Sequence, residues 1–418
     1  MALKENDRTL VPRLRFPEFR HEKGWAQTTL GSIANNFTAG GTPDTSNKNY
    51  WGGDLRWMSS GELNLKRVYE VAGRITREGL EHSSTKLIPP RCILIGLAGQ
   101  GKTRGTIAMN MLELCTNQSV AAIFPNDPVF NGDFLYHNLD SRYAELRRLS
   151  ENGEGRGGLN LQIIKSLTIN LPSIVEQQKI ADCLNSLEEL IAAQGRKVKA
   201  LRAQKNGLMQ QLFPRKGETA PRLRLPEFRG VLEWEEKNAG VLFVNRTEKG
   251  IEGLPIYSVT THDGMIKRSS IDRDFSDIQD VTGNKKAWKN DIVYNMMRMW
   301  QGAVGMAIED CLVSPAYVVL APQSNVVSKF FTYLFKLPET LLLLTSHSRG
   351  LTKDRLRLYY DDFARIPLRC PSEDEQQRIA DFLGSLDAMA AAESEKLAAL
   401  KAHKKGLMQQ LFPSLEED

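Results

Sequence analysis

The sequence has few cysteines, and none is placed for a disulfide framework or a zinc site. Its 418 residues include five cysteines, which are far apart, odd in number and without a CxxC pair. This pattern is typical of reduced thiols in a cytoplasmic protein. The first ten residues, MALKENDRTL, contain no apolar signal core, and no run of about 18 apolar residues occurs. We therefore expect a cytoplasmic protein that is neither secreted nor inserted into a membrane.

Catalytic motifs are also scarce. The six histidines show no HExxH spacing, and there is no GxGxxG fingerprint and no GxSxG elbow. One string, GLAGQGKT at Gly96–Thr103, fits the P-loop pattern GxxxxGK[ST]. A P-loop needs a helix after it, whereas RGTIAMNMLEL, with Gly105 and the β-branched Thr106 and Ile107, predicts a return into a strand. We expect a glycine-rich strand–turn–strand, no metal and no bound cofactor; a nucleotide hydrolase is the alternative.

The sequence does contain a long repeat. Glu176–Pro214 and Glu375–Pro413 align without a gap and agree at 24 of 39 positions. A shorter pair precedes them, RLRFPEFR at Arg13–Arg20 and RLRLPEFR at Arg222–Arg229, each followed by a tryptophan. A duplication with similar flanking segments and dissimilar central regions indicates one repeated framework that carries two different recognition regions.

Each repeated stretch predicts a long helix. Ser173 stands three residues before Glu176, and Ser372 three residues before Glu375, which is the spacing of a capping box. In a capping box the serine accepts from a first-turn amide while the glutamate reaches back to the serine amide. Each helix should end near a Phe-Pro pair, because the residue before proline disfavours the helical region.

Both predicted helices carry an apolar stripe at heptad-like spacing. Such a stripe favours a partner helix, although a helix lying on its own domain would show a similar pattern. The candidate interface residues are Leu184, Leu187, Ile191, Val198, Leu201, Leu208 and Leu212, and in the second copy Leu383, Leu386, Ala390, Leu397, Leu400, Leu407 and Leu411.

The charges predict the direction of pairing. Each helix is acidic in its first half and basic in its second, so antiparallel pairing sets opposite charges against each other. About 38 helical residues span about 57 Å, which matches about 16 base pairs of duplex. Such a helix pair could act as a ruler between two contact sites.

The two unlike regions, from Trp25 to about Leu171 and from Trp234 to about Cys370, predict small α/β domains. Short β-type runs are broken by Gly, Asn, Asp and Pro, and helical stretches follow near Val129–Leu149 and Ser328–Thr345. The predicted strands lie in Arg91–Gly99, Ser119–Phe124, Asp291–Met296 and Ala316–Pro322. The polar stretch Pro214–Pro221 predicts a linker between the halves.

Polar, basic and aromatic residues collect in the loops of both regions. Arginine and lysine can contact guanine or phosphate, and asparagine and glutamine can contact adenine, so these side chains are candidates for contacts with DNA. The net charge of +5 and the pI near 8.8 lean mildly towards polyanions. The candidates are Lys48, Tyr50, Trp51, Gln100, Lys102, Arg104, Asn117 and Gln118 in the first region, and Thr260, His262, Lys267, Arg268, Arg298, Trp300, Gln301, Arg349, Lys353 and Arg355 in the second.

With these motifs in order, the chain resembles a specificity subunit of a Type I restriction-modification enzyme. Further segments that carry the resemblance are YWGGDLRWMSSGEL, CTNQSVAAIFP, NMMRMWQGAVGM, VSPAYVVLAP and YYDDFARIPLRCPSEDEQQRIADFL. They span about Arg13 to Pro413. The resemblance implies an α+β fold with two target recognition domains, joined by two long antiparallel helices in a coiled coil with a pseudo-twofold internal repeat.

The resemblance also implies a non-catalytic protein that reads a bipartite, asymmetric target in double-stranded DNA. Methyltransferase subunits, commonly two, would dock on it with S-adenosylmethionine, and restriction subunits would supply ATP- and magnesium-dependent translocation. A coiled-coil adaptor without a nucleic-acid role is a further alternative. The expected domains are residues 1–171, the first recognition domain; 172–214, the first spacer helix; 215–370, the linker and second recognition domain; and 371–414, the second spacer helix.

Overall fold

A computed structural model describes residues 10–34, 36–99, 103–151, 158–270 and 283–413. The chain divides into two compact units. Unit 1 comprises Met1–Gly195 and Lys396–Asp418, and unit 2 comprises Arg196–Glu395. Each unit therefore contains one variable region and part of both repeated stretches.

Unit 1 begins with short strands and helices that alternate irregularly and ends in a long helix. Its strands are β1 (Ala26–Thr29), β2 (Phe37–Ala39), β3 (Trp51–Met58), β4 (Arg67–Val68), β5 (Arg74–Ile75), β6 (Ile93–Gly96), β7 (Ile107–Asn110), β8 (Cys115–Thr116), β9 (Val120–Ile123) and β10 (Thr168–Leu171). Its helices are α1 (Leu30–Ile33), α2 (Arg77–Glu81), α3 (Gly132–Ser141), α4 (Tyr143–Glu151), α5 (Leu161–Ser166) and the start of α6 (Ile174–Leu212).

The main sheet of unit 1 has five strands in the order β2-β9-β6-β7-β4. Strands β6, β7 and β9 are buried along their whole length. Because side chains alternate across a strand, Ile93 and Ile95 enter one apolar cluster with α3, while Leu94 enters another with Met58 and Leu63. The remaining strands form a three-stranded sheet, β5-β3-β8, and a two-stranded sheet, β1-β10.

The glycine-rich string Gly96–Thr103 lies between β6 and β7. These strands are antiparallel, with Ile95 opposite Ile107, and the Gly105 amide donates to the Gly96 carbonyl over 2.9 Å. The prediction that the chain returns into a strand is confirmed, because β7 begins where a P-loop would need a helix. Gln100 and Lys102 lie outside the described residues.

Unit 2 follows a similar order. Its strands are β11 (Glu235–Asn238), β12 (Phe243–Arg246), β13 (Tyr257–Thr260), β14 (Gly264–Lys267), β15 (Lys285–Ala287), β16 (Ile292–Asn295), β17 (Val304–Met306), β18 (Cys311–Val313), β19 (Tyr317–Pro322) and β20 (Pro367–Cys370). Its helices are the end of α6, α7 (Ala239–Leu242), α8 (Ser328–Leu334), α9 (Pro338–Ser346), α10 (Tyr360–Phe363) and most of α11 (Glu373–Leu411).

The main sheet of unit 2 is antiparallel and has the order β12-β19-β16-β17. Three two-stranded sheets accompany it, β11-β20, β13-β14 and β15-β18. Aromatic side chains dominate its core, where Phe243 packs edge-on against Phe331 at a centroid distance of 5.1 Å. All four strand predictions are confirmed, by β6, β9, β16 and β19. The two predicted helical stretches are each divided, into α3 and α4 and into α8 and α9.

The two long helices, 39 residues each, pair in both units. In unit 1, Leu184 of α6 lies in one cluster with Met408 and Leu411 of α11. In unit 2, Lys205 meets Asp387 at 2.5 Å and Lys197 meets Glu393 at 2.7 Å. The residue number on one helix rises as that on the other falls, so the pairing is antiparallel. The predicted α+β fold with an antiparallel coiled coil and an internal repeat is confirmed.

The residues of the apolar stripe are shielded to different degrees. None of the candidates is exposed; the buried ones are Leu184, Val198, Leu212, Leu383, Ala390 and Leu411, and the half-buried ones are Leu187, Ile191, Leu201, Leu208, Leu386, Leu397, Leu400 and Leu407. The buried residues Met209 and Met408 were not among the candidates. Methionine fills the same kind of apolar gap as leucine.

One of the two hydrogen bonds predicted for the capping boxes, the one from the serine amide to the glutamate carboxylate, is wrong. The Glu176 amide does donate to Ser173 Oγ, over 3.4 Å. The Glu176 carboxylate instead accepts hydrogen bonds from Arg15 and Trp25, and the Glu375 carboxylate accepts from Arg224 and Trp234. A guanidinium offers a carboxylate two charge-assisted bonds, which are stronger than a bond from one backbone amide.

Candidate nucleic-acid interface and its frame

One anchor recurs in both units, built from the short opening motif and the start of a long helix. Arg15 Nε and Nη2 donate to the two carboxylate oxygens of Glu176 over 2.8 and 2.7 Å, and Trp25 Nε1 donates to Oε1 over 3.3 Å. In unit 2, Arg224 donates to Glu375 over 2.8 and 2.7 Å. Trp234 Nε1 completes that anchor over 3.4 Å.

The anchor of unit 1 is a buried ion pair whose donors are satisfied. The side chains of Arg15 and Glu176 are only 5% and 1% exposed. The other guanidinium donors reach the carbonyls of Glu22 and Lys23 over 2.9 and 3.1 Å. The hydrogen bonds to Glu176 raise the pKa of Arg15 although burial lowers it. The ion pair therefore fixes the opening motif on the start of the long helix.

The opening motifs also bind the far ends of the long helices. The Leu14 amide donates to the Gln410 carbonyl over 3.0 Å in unit 1, and the Leu223 amide donates to the Gln211 carbonyl over 2.9 Å in unit 2. Gln211 and Gln410 occupy equivalent positions in the two repeats. In each unit the motif therefore joins the start of one long helix to the end of the other.

A glutamine next to each anchor ties the helix to the variable region. Gln177 Oε1 accepts from the Asn131 amide over 2.9 Å, where α3 begins. Gln376 Oε1 accepts from the Val327 amide over 3.0 Å, where α8 begins. Both glutamines are buried. Each variable region is thus held on the helix pair of its unit by main-chain contacts that tolerate a change of side chain.

In unit 1, Lys48 and Gln118 belong to loops that join each other. The Gly41 amide donates to the Thr116 carbonyl over 2.8 Å, and Thr42 Oγ1 donates to Gln118 Oε1 over 2.6 Å. Lys48 and Gln118 are exposed. The structure therefore places an exposed cation and an exposed amide on connected loops.

Aromatic side chains pack together next to Lys48 in the chain. Tyr50 stacks on His82 at 5.8 Å with an interplanar angle of 11°. Trp51 contacts Trp57 edge-on at 5.1 Å, and its Nε1 donates to the Asp44 carbonyl over 3.1 Å. Asn117 is half-buried and its amide donates to the Met58 carbonyl over 3.0 Å. These residues shape the loops that carry Lys48 and Gln118.

Arg104 faces its own domain. It is half-buried, its Nη1 donates to Ser150 Oγ of α4 over 3.5 Å, and its Nε is buried without a hydrogen-bond partner among the described residues. The structure does not bring it together with Lys48 or Gln118. Its placement favours a role in holding the β6–β7 turn against α4.

In unit 2 the β13–β14 hairpin and the residue that follows it carry four of the candidates. Thr260 closes the turn by accepting from the Asp263 amide over 3.0 Å, and His262 is exposed at its tip. Lys267 Nζ lies 3.7 Å from Glu309, and Arg268 Nε donates to Ser258 Oγ over 3.0 Å. The hairpin packs against β17, where a Cβ at Gly305 would lie 2.4 Å from the Met265 nitrogen.

The β16–β17 turn carries three more. Arg298 and Gln301 are exposed, and Trp300 is half-buried with its Nε1 donating to the Met297 carbonyl over 3.1 Å. Gly302 closes the turn with a left-handed φ of 83°, a conformation that glycine adopts without steric cost. A Cβ at Gly264 would lie 3.5 Å from Val304 and Gly305 at the start of β17, so the hairpin tip with His262 lies towards this turn. Lys267, beside Glu309, lies towards the opposite end of β17.

The last candidates lie on the segment Arg349–Arg357, which we call the cationic loop. Arg349 is bonded to Asp362 at 2.6 Å, and Arg355 is exposed. The side chain of Lys353 lies outside the described part of the structure. The Leu358 amide donates to the Met296 carbonyl over 2.9 Å, which places the cationic loop beside the turn of Arg298. Arg357, also exposed, was missed although it alternates with Arg355 and Lys353.

The described residues contain no cluster of three or more His, Cys, Asp and Glu side chains that could hold a metal ion. Burial raises the pKa of Cys92 and of Cys311 to about 12 and that of Cys115 to about 11, so these thiols are neutral and weakly nucleophilic. Among the described helices, none is long and apolar enough to cross a membrane.

Curated relatives match part of the chain. The specificity subunit of the Type I restriction enzyme MjaIX from Methanocaldococcus jannaschii is 29% identical over 189 residues, which are 42% of this chain and 43% of that protein. The EcoR124I/EcoR124II specificity subunit from Escherichia coli is 29% identical over 165 residues, 39% of this chain and 40% of that protein. The chain thus spans less than half the length of these relatives in the matched regions.

Solved structures share the fold over nearly the whole chain. The S subunit of a Type I restriction-modification system from M. genitalium has a TM-score of 0.60 at 15% identity, covering 97% of this chain and 100% of that chain. A chain from a study of complex assembly and conformational transition of the type I R-M system has a TM-score of 0.57 at 16% identity, covering 94% and 98%.

The family described as the Type I restriction modification DNA specificity domain matches residues 22–202 and 241–402, which together are most of the chain. The two matched segments each include a variable region and most of a long helix. The chain therefore belongs to the family of Type I restriction-modification specificity proteins.

Proposed function

We propose that this chain is the non-catalytic DNA-recognition subunit of a Type I restriction-modification complex. Each unit reads one half of a bipartite, asymmetric target in double-stranded DNA. The observation that carries the proposal is the repeated anchor, Arg15–Glu176–Trp25 and Arg224–Glu375–Trp234, which holds two unlike variable regions on equivalent positions of two helices. One frame with two different surfaces fits a reader of two different half-sites.

The surfaces of the variable regions support this role. Unit 1 exposes Lys48 and Gln118 on joined loops, and unit 2 exposes His262, Arg298 and Arg355 near one end of its sheet. Cations position a protein on phosphates, and amides and guanidinium groups read base edges. S-adenosylmethionine, ATP and magnesium belong, in this proposal, to methyltransferase and restriction subunits.

The long helices supply a docking surface for the methyltransferase subunits. Leu190 of α6 and Met389 of α11 stand at equivalent positions of the repeats, and their side chains are 51% and 53% exposed. Apolar side chains that stay exposed on packed helices mark binding surfaces. Because the feature occurs once in each unit, it fits two copies of the same partner.

Mapping of adenine methylation tests the recognition role. We expect cells that express this chain with its methyltransferase subunit to methylate adenine in one bipartite sequence, and cells lacking either protein to leave it unmodified. Replacing residues 25–171 by the equivalent region of another family member should change one half-site only. A change in both half-sites would contradict the division of labour between the units.

Lengthening the helices tests the ruler. Inserting one heptad at equivalent positions of α6 and α11 should widen the spacer by about 10 Å, or about three base pairs, and leave both half-sites unchanged. Altered half-sites would show that the helices also take part in reading.

The docking surface has its own test. Leu190→Glu and Met389→Glu should each remove one methyltransferase subunit, which native mass spectrometry would detect as a complex with one copy fewer. Leu342→Glu, at another exposed leucine of unit 2, is the matched control and should keep the full complex. Retention of both copies by the helix variants would reject this surface.

A further inference from the structure

The tip of the cationic loop carries a leucine in an unusual place. Leu351 is 98% exposed, more than any other large hydrophobic residue that the structure describes. Single exposed leucines are ordinary on protein surfaces, so exposure alone indicates nothing. Two further observations, the closure of the loop and its charge, distinguish Leu351 from such residues.

The loop is closed by its own main chain. Arg349 and Arg357 exchange two backbone hydrogen bonds of 2.9 Å, and the Arg355 amide donates to the Thr352 carbonyl over 3.0 Å. A Cβ at position 350 would lie 2.6 Å from the Arg355 carbonyl oxygen, so the close approach requires glycine. Leu351 follows this glycine and is held outward.

The loop is strongly basic around this apolar tip. Residues 349–357, RGLTKDRLR, contain four basic residues and one acidic residue. Arg355 and Arg357 are exposed, and no carboxylate of the described residues lies within ion-pair distance of either guanidinium. Arg298 is exposed on the neighbouring turn, which the Leu358–Met296 hydrogen bond joins to the loop. The loop that presents the apolar tip thus also carries exposed cations available to an anionic partner.

Duplex DNA matches this combination. Its phosphates attract arginine, and its base steps accept apolar wedges such as leucine, which partly unstack them from the minor groove. A protein partner would instead need an apolar socket ringed with acidic residues. The charge of the loop, and its place beside the other candidates of unit 2, favour DNA.

We propose that Leu351 is a wedge that enters a base step in the half-site bound by unit 2, while Arg355 and Arg357 hold the flanking phosphates. This inference rests on the proposed function and adds a contact of a different kind, since it reads the deformability of a step and not the edge of a base. The wedge adds a contact with a base step to the contacts that unit 2 makes with base edges and phosphates.

The experiment uses the complex of this chain with its methyltransferase subunits and a duplex that contains the mapped target. Leu351→Ala should weaken binding to the target about tenfold and leave the dependence on salt unchanged. A 2-aminopurine placed through the half-site of unit 2 should brighten at one step with the unaltered complex and stay dark with Leu351→Ala. Leu342→Ala, at a leucine that is 71% exposed on α9, is the matched control and should behave as the unaltered complex.

Arginine variants separate the wedge from the phosphate contacts. Arg355→Gln and Arg357→Gln should weaken binding to all sequences alike and reduce the salt slope by about one each. If Leu351→Ala binds and brightens 2-aminopurine as Leu342→Ala does, the wedge is rejected, while an effect of the arginine variants still supports DNA recognition. If the unaltered complex binds no specific sequence, the proposed function itself fails.

The complex also shows whether the loop binds protein instead. Native mass spectrometry of the Leu351→Ala complex should give the same subunit composition as Leu342→Ala. Loss of a methyltransferase subunit would overturn the wedge and assign the loop to protein docking. Because Leu351 makes no buried contact, thermal unfolding of the two alanine variants should agree.

Discussion

Units 1 and 2 share one set of contacts around the long helices and differ in another set. The shared set contains the Arg–Glu–Trp anchor and, further along the helices, a lysine–carboxylate pair. Lys404 meets Glu188 at 2.5 Å in unit 1, and Lys205 meets Asp387 at 2.5 Å in unit 2. These two pairs occupy equivalent positions in the repeats, with the helices exchanged.

The two units differ in the residue of the variable region that faces this lysine–carboxylate pair. In unit 1, buried His137 lies 4.0 Å from Glu188 and bonds Asn185 at 2.9 Å. In unit 2, Tyr333 stands at the equivalent position of α8 and donates to Asp387 over 2.7 Å. Tyr333 hydrogen-bonds its carboxylate, whereas His137 Nδ1 has no hydrogen-bond partner among the described residues. Of the two side chains, only histidine has an ordinary pKa near neutral pH.

In each unit a cationic side chain also lies near this pair, on a strand in unit 1 and on a helix in unit 2. In unit 1, Arg67 of β4 donates to Asn185 over 2.7 Å and bonds Asp133 of α3. In unit 2, glycine replaces that asparagine at Gly384, and the Lys329 ammonium of α8 lies against it. The comparison teaches that the helix fixes where a polar partner is needed, while the variable region is free to supply it from a strand or a helix.

The largest expected effect comes from the repeated anchor. Glu176→Gln or Glu375→Gln leaves a buried guanidinium without its counter-charge, so each should lower the free energy of unfolding by about 3–5 kcal/mol. Equal losses in urea unfolding would show that the two anchors are equivalent. Glu18→Gln and Glu227→Gln, in the exposed pairs with Lys179 and Arg378, are matched controls that should change almost nothing. A clearly smaller loss for Glu375→Gln would show that the two anchors are not equivalent.

Next in size is a pH dependence that belongs to unit 1. Burial lowers the pKa of His137 to about 4, against the effects of Glu188 and Asn185, while Lys404 and Arg67 reinforce it. The unfolded chain binds this proton near the ordinary pKa of 6.5, so stability is lost as the pH falls from about 6.5 to about 4. The loss should approach about 3 kcal/mol.

His137→Gln provides the control for that loss. The amide keeps a polar group at the position but does not titrate, so its unfolding free energy should vary less between pH 6.5 and 4.5. Glu188 faces the ring, and although burial raises its pKa, His137, Lys404 and Arg67 bring it below the ordinary value. Its own contribution is therefore lost only below about pH 4.5. An unchanged slope in the variant would remove His137 as the cause.

Sequence patterns predicted what depends on neighbours along the chain. The buried strands β6 and β9 appear as short apolar runs, and the long helices as heptad-like stripes. The anchor was not predicted, because Arg15 and Glu176 are 161 residues apart. Glu176 instead fitted a local capping box, and a tertiary ion pair replaced half of it. The repeated RLRFPEFR and RLRLPEFR motifs were the signal that an arginine had a fixed partner.

Among the DNA candidates, residue type was read from the sequence but orientation was not. Arg104 and Arg355 are chemically alike, yet one is half-buried against α4 and the other is exposed on the cationic loop. Which way a loop arginine points depends on packing between distant elements. The stretch of unit 1 before Leu159, ENGEGRGG, lies mostly outside the described residues, and its sequence has no apolar residue that could match Leu351.

A smaller effect should separate the two carboxylates that face the helix lysines. Glu188→Gln removes the partner of Arg67 and Lys404 at a side chain that is 22% exposed, whereas the Asp387 side chain is 47% exposed. We expect a loss of about 2 kcal/mol for Glu188→Gln and of about 1 kcal/mol for Asp387→Asn. Unfolding in urea measures both. Equal losses would mean that the extra contacts of unit 1 do not strengthen its junction.

The smallest effect concerns an ion pair of unit 2. At the equivalent position of unit 1 a neutral residue replaces its carboxylate. Lys197 meets Glu393 at 2.7 Å, with the lysine 56% exposed, and Gln194 stands at the position of unit 1 that is equivalent to Glu393. Water screens such a pair, so Lys197→Met should cost about 0.5 kcal/mol, and the cost should vanish in 1 M salt. Lys199→Met, at an exposed lysine of the same helix, is the control. A cost for Lys197→Met that persists in high salt would assign it to the packing of the lysine stem between the helices.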